Sequence, residues 1–263
     1  MISEWKGKWA LVTGASAGIG KALAEELARG GANLVLTARR QERLATLAQE
    51  LKAQHEVKTE IFVADLTGSS APEEIFGFTQ GKGIEIELLV NNAGFGQYGE
   101  FQEVEADRLL EMVQVNCSAV VHLTRLYLPG MVARRSGDVL IVASTASFQA
   151  VPYVSTYAAT KAFDLLLAEG LAEEMKPHGV RVCALCPGGT TSEFHELAGH
   201  PAHAKGRQQS AETVARNGLK ALAAGKSYVI SGLGNYLGAH GERLVPRRLV
   251  TQIAAKLFRP NKN

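Results

Sequence analysis

The chain has 263 residues, with 28 lysines and arginines against 26 aspartates and glutamates, and only three cysteines. Its length permits one large α/β domain or two small ones. The net charge of +2 gives no broad basic field and argues against nucleic acid as the main partner. The three cysteines cannot form a disulfide framework and are typical of a reducing compartment. With no secretory signal and no apolar run of membrane-spanning length, a cytoplasmic protein is expected.

Short apolar segments of strand length alternate with longer segments of helical periodicity as far as about residue 231. This alternation predicts repeated βα units around a parallel sheet of about seven strands. The predicted strands are 9–13, 33–38, 60–64, 87–90, 138–143, 181–185 and 227–230. The predicted helices lie near 18–29, 41–54, 70–80, 104–128, 155–176 and 211–224.

No linker, repeat or low-complexity tract divides the chain, which predicts a single domain over residues 1–237. Two stretches interrupt the alternation: the polar residues 188–210 and the tail after residue 232. The first follows the carboxyl end of a strand, where open α/β sheets bind ligands. We therefore expect residues 188–210 to form a lid over a substrate.

A glycine-rich turn links the first predicted strand to the first predicted helix. Gly14, Gly18 and Gly20 leave room for backbone N–H groups to approach a diphosphate at the N-terminus of that helix. Their spacing, G-x3-G-x-G, differs from the G-x-G-x-x-G dinucleotide fingerprint. A glycine turn alone is a weak signal, but its place between a strand and a helix favours a nucleotide site.

The end of the second predicted strand indicates which nucleotide would bind. Folds that bind NAD usually carry a carboxylate there for the ribose 2′-hydroxyl, whereas NADP requires positive charge for its 2′-phosphate. Arg39 and Arg40 stand at this point, and each guanidinium can bind phosphate oxygens through paired donors. We therefore expect NADP(H) as the cofactor. The alternative is that both arginines simply begin a solvated helix. Ala17 also argues against NADP, because a second basic residue at its place in the glycine turn would strengthen that prediction.

A tyrosine and a lysine lie four residues apart at the start of a predicted helix, so Tyr157 and Lys161 share one face. A free tyrosine has a pKa of about 10, which is too high for easy proton exchange near neutrality. A nearby cation lowers that pKa and makes the phenol a usable acid or base. Ser144, at the end of the fifth predicted strand, could hold a substrate oxygen beside the phenol.

Six motifs together resemble the short-chain dehydrogenase/reductase family over roughly residues 6–232. They are Thr13-Gly14-x3-Gly18-Ile19-Gly20, Asn91-Asn92-Ala93-Gly94, Val115-Asn116, Ser144, Tyr157-x3-Lys161 and Pro187-Gly188, in the family's order. The resemblance implies a doubly wound Rossmann fold, with seven parallel strands and helices on both faces. It also implies hydride transfer between NAD(P) and a carbonyl or secondary alcohol, a homodimer or homotetramer, and a catalytic tetrad of Asn116, Ser144, Tyr157 and Lys161.

The resemblance assigns a role to each tetrad residue. Tyr157 would protonate the carbonyl oxygen, Ser144 would hydrogen-bond to the same oxygen, and Lys161 would bind the nicotinamide ribose while lowering the pKa of Tyr157. Asn116 would hold a water that relays protons to Lys161. The residues assigned to the cofactor are Gly14, Ser16, Gly18, Ile19, Gly20, Arg39, Arg40, Asp65, Leu66, Asn92, Ala93, Gly94, Tyr157, Lys161, Pro187, Gly188 and Thr190.

Some positions have a second interpretation or depart from the family pattern. Asp65 could contact adenine, cap a helix, or do both. Asn91 is expected to tie strands together rather than to bind cofactor. Thr190 and Ser192 stand where the family usually has a valine followed two residues later by a threonine, so the hold on the carboxamide is in doubt.

Other patterns are predicted to be structural. Cys183 and Cys186 have redox or zinc spacing, but three residues along a strand separate opposite faces, so both are expected to be buried thiols. No metal is expected, since the histidines of the lid lack zincin spacing. Those lid residues are His195, Glu196, His200 and His203. The aromatic residues that could line an apolar pocket, or pack in the core, are Phe95, Tyr98, Phe148, Tyr153 and Phe194.

Residues 238–263 are predicted to form a basic amphipathic extension, with six lysines and arginines against Glu242 alone. Apolar residues recur there at helical spacing behind Pro246, a good first-turn residue. They are Val245, Leu249, Ile253, Leu257 and Phe258. Such a helix could lie on an anionic membrane, or pack on its own subunit or a partner with its charges in water; the second is favoured.

These observations predict an NADPH-dependent carbonyl reductase or alcohol dehydrogenase that acts on a small molecule. Two alternatives remain open. One is a reductase of long-chain acyl or steroid-like ketones held near membranes by the tail, for which the 128–132 segment gives weak support. The other is an NADP-binding sensor or scaffold without turnover, against which the complete tetrad argues.

Overall fold

The computed structural model describes residues 2–191, 193, 198–199 and 208–260. Seven strands form one parallel sheet in the order β3-β2-β1-β4-β5-β6-β7. The strands are β1 (Trp9–Thr13), β2 (Asn33–Ala38), β3 (Thr59–Val63), β4 (Ile86–Asn91), β5 (Gly137–Val142), β6 (Val180–Cys186) and β7 (Tyr228–Ile230). The predicted doubly wound α/β fold is therefore confirmed, with strand ends within one residue or so of the predicted ones.

Helices cover both faces of this sheet. They are α1 (Gly18–Arg29), α2 (Gln41–His55), α3 (Ala71–Gly81), α4 (Ala106–Val113), α5 (Ala119–Arg134), α6 (Ser155–Met175), α7 (Ala211–Ala223), α8 (Leu233–Gly241) and α9 (Arg247–Phe258). Alternate residues of one strand enter different cores: Ala10 and Val12 pack with α1, α2 and α7, whereas Leu11 packs with α3, α5 and α6. Because both faces are covered, central strands are apolar on both sides rather than alternating, as in β1, where Ala10, Leu11 and Val12 are all buried.

The predicted helix 104–128 differs from the structure in both its ends and its interior. Helix α4 passes through a π-helical turn, Gln114–Ser118, directly into α5. The helix continues past Pro129 and ends only before Arg135, which adopts the left-handed conformation with φ +55°. The π-helical turn contains Asn116, so a local widening of the helix sets the position of that side chain.

The two cysteines of β6 are free and buried on opposite faces of the sheet, as predicted. Cys183 belongs to the core beneath α1 and α7, and Cys186 to the core beneath α5 and α6. Burial raises the pKa of the Cys183 thiol to about 12. Neither thiol is therefore suited to redox chemistry.

The C-terminal residues fold back onto the domain. Helix α8 runs across the predicted boundary at residue 237 without interruption. At the far end of α9, Phe258 packs against a small cluster formed by Val151, Val154 and Ala158. In the part of the chain that the structure describes, none of the helices has the length and hydropathy needed to span a membrane.

Candidate active site

A cleft of about 1320 Å³ opens along the carboxyl ends of the strands, where the strand order reverses between β1 and β4. The cleft is lined by all the residues predicted to bind cofactor and also by Ser144. Asn116 does not line it among the described residues. The glycine turn, the two arginines and the Tyr157 region are thus brought together around one space.

The glycine turn is shaped by backbone conformations that favour glycine. Gly14 and Gly18 have φ values of +65° and +55°. A Cβ atom at Gly20 would lie 2.4 Å from the Gly14 carbonyl oxygen, so α1 could not approach β1 this closely with any side chain there. The first turn of α1 has neither a side-chain cap nor an acidic residue. Its N–H groups therefore face the cleft and could hold an anion.

Asn91, the last residue of β4, was expected to tie strands together, but the side chain that does so is that of Asn92, the next residue. Asn92 ties β4 to β1, because its Nδ2 donates to the Thr13 carbonyl at 2.8 Å. Asn91 instead donates to Thr124 Oγ1 on α5, at 3.0 Å. Neighbouring residues at a strand end point to opposite faces, and this alternation could have indicated which asparagine faces the helix. Asn92 thus lines the cleft while fixing the glycine turn.

Positive charge lies at the end of β2, as the sequence suggested. Arg40 contacts Ser16 Oγ through Nε at 3.2 Å and Nη2 at 3.1 Å, and its Nη1 lies 2.8 Å from Glu193 Oε2. Arg43, which sequence reasoning missed, reaches Glu193 Oε1 at 2.7 Å. Arg40 also precedes α2 as its N-cap residue, so the helix-start interpretation and the phosphate interpretation coexist.

This end of the cleft fits the adenosine part of NADP. Thr37 Oγ1 is buried at the edge of the cleft and has no hydrogen-bond partner among the described residues. Arg39 is exposed, with Nη1 3.7 Å from Asp65 Oδ2. Asp65 Oδ1 accepts from the Thr67 N–H at 3.1 Å, and the N-cap of α3 is Ser70, so Asp65 closes a turn rather than capping that helix. A buried orphan hydroxyl and two arginine side chains are a suitable donor set for a phosphorylated ribose.

At the other end of the cleft, Ser144, Tyr157 and Lys161 converge. Ser144 Oγ accepts from the Ala146 N–H at 3.1 Å, and Ser144 also hydrogen-bonds with Tyr157. Lys161 Nζ donates to the Val142 carbonyl at 2.8 Å and to Asp164 Oδ2 at 2.9 Å. The lysine and aspartate side chains are 7% and 0% exposed, so this ion pair is shielded from water.

Asp164 was not singled out from the sequence, yet it determines the electrostatics of the site. Burial lowers the pKa of Lys161, but the Asp164 carboxylate and the Tyr157 hydroxyl outweigh burial and leave that pKa raised. Lys161 therefore stays a cation across the neutral range. The spacing of three residues from Lys161 to Asp164 on one helix was the sequence signal that could have revealed this pair.

The pKa of Tyr157 differs from the expectation. Burial raises it, Lys161 and the Ser144 hydrogen bond lower it, and Asp164 adds to the increase, so the net shift is upward. Lys161 alone would lower this pKa, but desolvation of the phenolate opposes the lysine and outweighs it. In the free protein, Tyr157 is consequently a protonated acid at neutral pH.

Asn116 is fully buried and its side chain is already engaged by protein groups. Oδ1 accepts from the Phe95 N–H at 3.1 Å, and Nδ2 donates to the Phe95 carbonyl and to Thr160 Oγ1, both at 3.0 Å. Both amide hydrogens of Asn116 are therefore engaged, whereas Oδ1 has a second lone pair, and the predicted role of holding a relay water stays a prediction. Asn116 also joins the loop after β4 to α6, which carries Tyr157 and Lys161.

The substrate end of the cleft is mostly apolar and is closed from the C-terminal side. Val151, Val154, Leu233 and Phe258 line it, together with Gln149 and the residues of α8 and the following turn. Glu242 brings a carboxyl group there: burial raises its pKa, and its Oε2 has no partner among the described residues. These C-terminal contributors were missed because the 3.6-residue pattern shows a helix but not where it docks.

Two contacts hold α8 and α9, the helices that close the cleft from the C-terminal side. A Cβ atom at Gly188 would lie 2.4 Å from Asn235 Nδ2 on α8, so this helix sits directly on the strand end. The Tyr98 hydroxyl donates to the Phe258 carbonyl at 2.7 Å and so holds the end of α9. Of the aromatic residues considered from sequence, Phe95 lines the cleft, Tyr98 packs with the Phe258 cluster, and Phe148 packs near Tyr228 and His240.

Part of the predicted lid lies outside the described residues. This applies to residues 192, 194–197 and 200–207, and so to Ser192, Phe194, His195, Glu196, His200 and His203. Within the described part of the lid, Thr190 is buried and its Oγ1 donates to the Gly188 carbonyl at 3.0 Å. Among the described residues, no three histidine, cysteine, aspartate or glutamate side chains are grouped so that they could hold a metal ion.

The fold and the cleft together define a dinucleotide-binding α/β domain with an acid/base group at one end. The sequence profile described as short chain dehydrogenase matches residues 8–201. The chain therefore belongs to the short-chain dehydrogenase family.

Curated relatives share part of this chain. A very-long-chain 3-oxoacyl-CoA reductase of Aspergillus clavatus is 36% identical over 179 residues, covering 67% of this chain and 52% of the relative. The protein of the same name from Bos taurus is 37% identical over 190 residues, covering 71% and 60%. The chain thus spans about half to three fifths of the length of these relatives.

Two solved structures resemble the whole chain. A short-chain dehydrogenase from Sphingobium yanoikuyae in complex with NADPH superposes with a TM-score of 0.83 at 29% identity, covering 97% of this chain and 98% of the other. A structure from a study of 7β-hydroxysteroid dehydrogenase stereoselectivity gives a TM-score of 0.87 at 26% identity, covering 97% and 99%.

Proposed function

We propose that this protein is an NADPH-dependent reductase of apolar ketones, which also runs in the reverse direction as an alcohol dehydrogenase. The observation that carries the proposal is the convergence of Ser144, Tyr157 and Lys161 at the apolar end of the cleft. The glycine turn and Arg40 occupy the opposite end of the same cleft.

The residues support a simple division of work in the reaction. The Ser144 hydroxyl, which hydrogen-bonds with Tyr157 in the free protein, donates to the carbonyl oxygen and stabilises the charge that develops there. Tyr157 is a protonated acid beside it and passes its proton to the same oxygen. Lys161 remains a buried cation that stabilises the phenolate left behind. NADPH, when bound, supplies the hydride.

The preference for NADPH over NADH rests on the adenosine end. Arg40 is anchored to Ser16 on the glycine turn, and no carboxylate follows β2 directly to bind a free ribose 2′-hydroxyl. The structural relative from Sphingobium yanoikuyae was solved with NADPH, which agrees with this assignment.

The lining of the other end supports the proposed substrate class. Val151, Val154 and Phe258 offer aliphatic and aromatic surface, and Glu242 offers one polar group. The curated relatives are named as reductases of very-long-chain 3-oxoacyl-CoA, which places an acyl chain beside a ketone. We therefore favour 3-oxoacyl chains over polar ketones such as sugars.

The test is a panel of ketones that ranges from short polar to long-chain 3-oxoacyl thioesters, followed by the loss of NADPH absorbance. We expect turnover with the apolar members and a kcat/KM at least about tenfold higher with NADPH than with NADH, which equals about 1.4 kcal/mol. Equal use of the two cofactors would reject the assignment of Arg40.

The matched control is Tyr157→Phe, which keeps the ring and removes the acid. Loss of the proton donor should lower kcat by about 10²- to 10⁴-fold while the Kd for NADPH changes little. If the unaltered protein binds NADPH but reduces no member of the panel, the sensor or scaffold alternative replaces this proposal.

Three further expectations stay predictions: a cytoplasmic location, assembly as a homodimer or homotetramer, and a lid over residues 188–210. Apolar side chains exposed on α4 and α6, such as Leu110 and Leu166, offer a surface for assembly. Light scattering of the purified protein measures the number of chains directly.

A further inference from the structure

The C-terminal helices carry an unusual concentration of exposed apolar side chains. Among the described residues, fifteen large hydrophobic side chains are exposed, and eight of them lie between residues 233 and 257. They are Leu233, Tyr236, Leu237, Leu244, Val245, Leu249, Ile253 and Leu257. Scattered exposed apolar residues are ordinary, but a concentration of this kind indicates a binding surface.

Three of these residues form a straight row on α9. Leu249, Ile253 and Leu257 follow one another at four-residue intervals and lie along one side of the helix. Their exposed fractions are 47%, 49% and 61%. Ala254 is buried and Phe258 half-buried on the adjoining side, so the protein covers only part of the apolar arc of this helix.

Basic residues surround the row. Lys256 follows Leu249 by seven residues and lies on the same side of α9. Arg243, Arg247, Arg248 and Arg259 are also exposed nearby in the chain, and the one acidic residue of this segment, Glu242, lines the cleft instead. An exposed apolar row with flanking bases has the chemistry of a helix that lies in an anionic lipid interface.

The same helix closes the cleft. Phe258, which follows the row directly, lines the substrate end, and Leu233 lines it while being 76% exposed. The lining of the cleft and the apolar row therefore meet at the end of α9. A surface bound to the row would lie next to this side of the cleft.

We propose that the row Leu249, Ile253 and Leu257, with its flanking bases, seats the protein on an anionic lipid membrane, with the mouth of the cleft facing the bilayer. Ketones dissolved in the lipid would then enter past Leu233 and Phe258 without crossing water. The proposed binding to lipid rests only on the exposed apolar row and its flanking bases, whereas the delivery of substrate also rests on the function proposed above.

A second copy of this chain is a poorer occupant of the row. A two-fold contact would place the same patch opposite itself and bring the bases of one copy against those of the other. An acidic protein would satisfy the bases, but it would cover the mouth through which substrate enters. Phospholipid headgroups neutralise the bases while acyl chains cover the row.

The test uses the full chain with bound NADPH and sedimentation with vesicles. We expect binding to vesicles that contain phosphatidylglycerol, weak binding to pure phosphatidylcholine, and a decrease with added salt. The variant Ile253→Gln/Leu257→Gln should bind at least about fivefold less, because two apolar side chains no longer enter the lipid. The matched control, Val63→Gln/Phe101→Gln, alters side chains of similar exposure (43% and 66%) elsewhere and should bind normally.

A charge variant separates the two components of binding. Arg248→Gln/Lys256→Gln should lose about tenfold or more on anionic vesicles and nothing on neutral ones. If Arg248→Gln/Lys256→Gln loses binding to vesicles while Ile253→Gln/Leu257→Gln binds as well as the unaltered chain, the binding is purely electrostatic and the proposal is overturned. The proposal is also overturned if Ile253→Gln/Leu257→Gln changes the mass measured by light scattering, since the row would then form a contact between copies of this chain.

Activity distinguishes failure of this inference from failure of the proposed function. The Ile253→Gln/Leu257→Gln variant should retain kcat/KM for a short, water-soluble ketone and lose at least about fivefold for a long-chain ketone supplied in anionic vesicles. Equal loss for both ketones contradicts membrane delivery. No turnover of any ketone by the unaltered chain contradicts the reductase assignment and leaves the sedimentation result standing.

Discussion

Two ion pairs lie at opposite ends of the cleft and have nearly the same length. Lys161 and Asp164 are 2.9 Å apart at the reaction end, and Arg40 and Glu193 are 2.8 Å apart at the adenosine end. The side chains of the first pair are 7% and 0% exposed, whereas those of the second are 41% and 43% exposed. Distance alone would rank them as equals.

The two ion pairs differ in strength because they differ in their exposure to solvent. In water-exposed positions an ion pair contributes about 0 to 1 kcal/mol, because hydration competes and salt screens the charges. In a buried position the pair must remain complete, since a single unpaired charge would have neither its partner nor water to solvate it. The reaction end is therefore fixed in one arrangement, whereas the adenosine end can exchange Glu193 for a ligand at small cost.

The largest expected effect comes from breaking the buried pair with Asp164→Asn. Lys161 would be left as an uncompensated buried cation, and the free energy of unfolding should fall by about 3 to 5 kcal/mol, measured by urea denaturation. The double variant Lys161→Met/Asp164→Leu removes both charges and should recover most of that stability. A loss below about 1 kcal/mol for Asp164→Asn would mean that water reaches the pair.

The same variant should move the pH profile in a defined direction. Asp164 raises the pKa of Tyr157, so its replacement by a neutral amide lowers that pKa. Reduction requires the protonated phenol, and the rate declines as pH rises through its pKa. The basic limb of kcat/KM should therefore shift to lower pH, a change that a purely structural role of Asp164 would not produce.

An intermediate effect is expected from Arg40→Ala at the exposed end. A hydrogen bond to a charged group is worth about 1.5 to 3 kcal/mol, so the Kd for NADPH should rise about 10- to 150-fold, measured by fluorescence titration. The Kd for NADH should stay nearly unchanged. Arg39→Ala is the comparison, and a smaller effect is expected because that side chain is more exposed and has no partner as close. Equal losses for both cofactors would show a general defect in the glycine turn.

The smallest effect is expected from Glu193→Gln. The 2′-phosphate and the Glu193 carboxylate both require Arg40, so removal of the carboxylate charge should tighten NADPH binding by up to about fivefold. Arg43 loses the same partner and becomes available to bind the 2′-phosphate. The gain should disappear at high salt. Weaker binding of NADPH would mean that Glu193 assists the ligand instead of competing with it.

The glycine turn and the arginines at the adenosine end of the cleft could be predicted from the residues themselves, because their chemistry is local in the chain; the other cofactor positions came from the family resemblance. A glycine turn requires particular backbone conformations, and Gly14, Gly18 and Gly20 reveal them by their identity. The arginines after β2 are likewise visible as charges at a strand end. The parallel direction and the number of strands also followed from the alternation of βα units.

The substrate end could not be predicted in this way. Glu242 and Phe258 reach the cleft only because α8 and α9 turn back over it, and nothing in a helical period states where a helix will dock. The Asp164 partner of Lys161 was visible as a three-residue spacing, but its importance depends on burial that only packing creates. The upward pKa shift of Tyr157 was missed for the same reason.

The anchor of α9 uses the backbone of residue 258 and leaves its side chain to the substrate cleft. Tyr98 donates to the carbonyl oxygen of Phe258, a group that every amino acid possesses, while the phenyl ring lines the cleft. The shape of the substrate pocket can therefore vary at position 258 during evolution or in the laboratory without loss of this anchor. Replacing Phe258 by a smaller residue would enlarge the pocket for branched ketones while Tyr98 still holds the helix end in place.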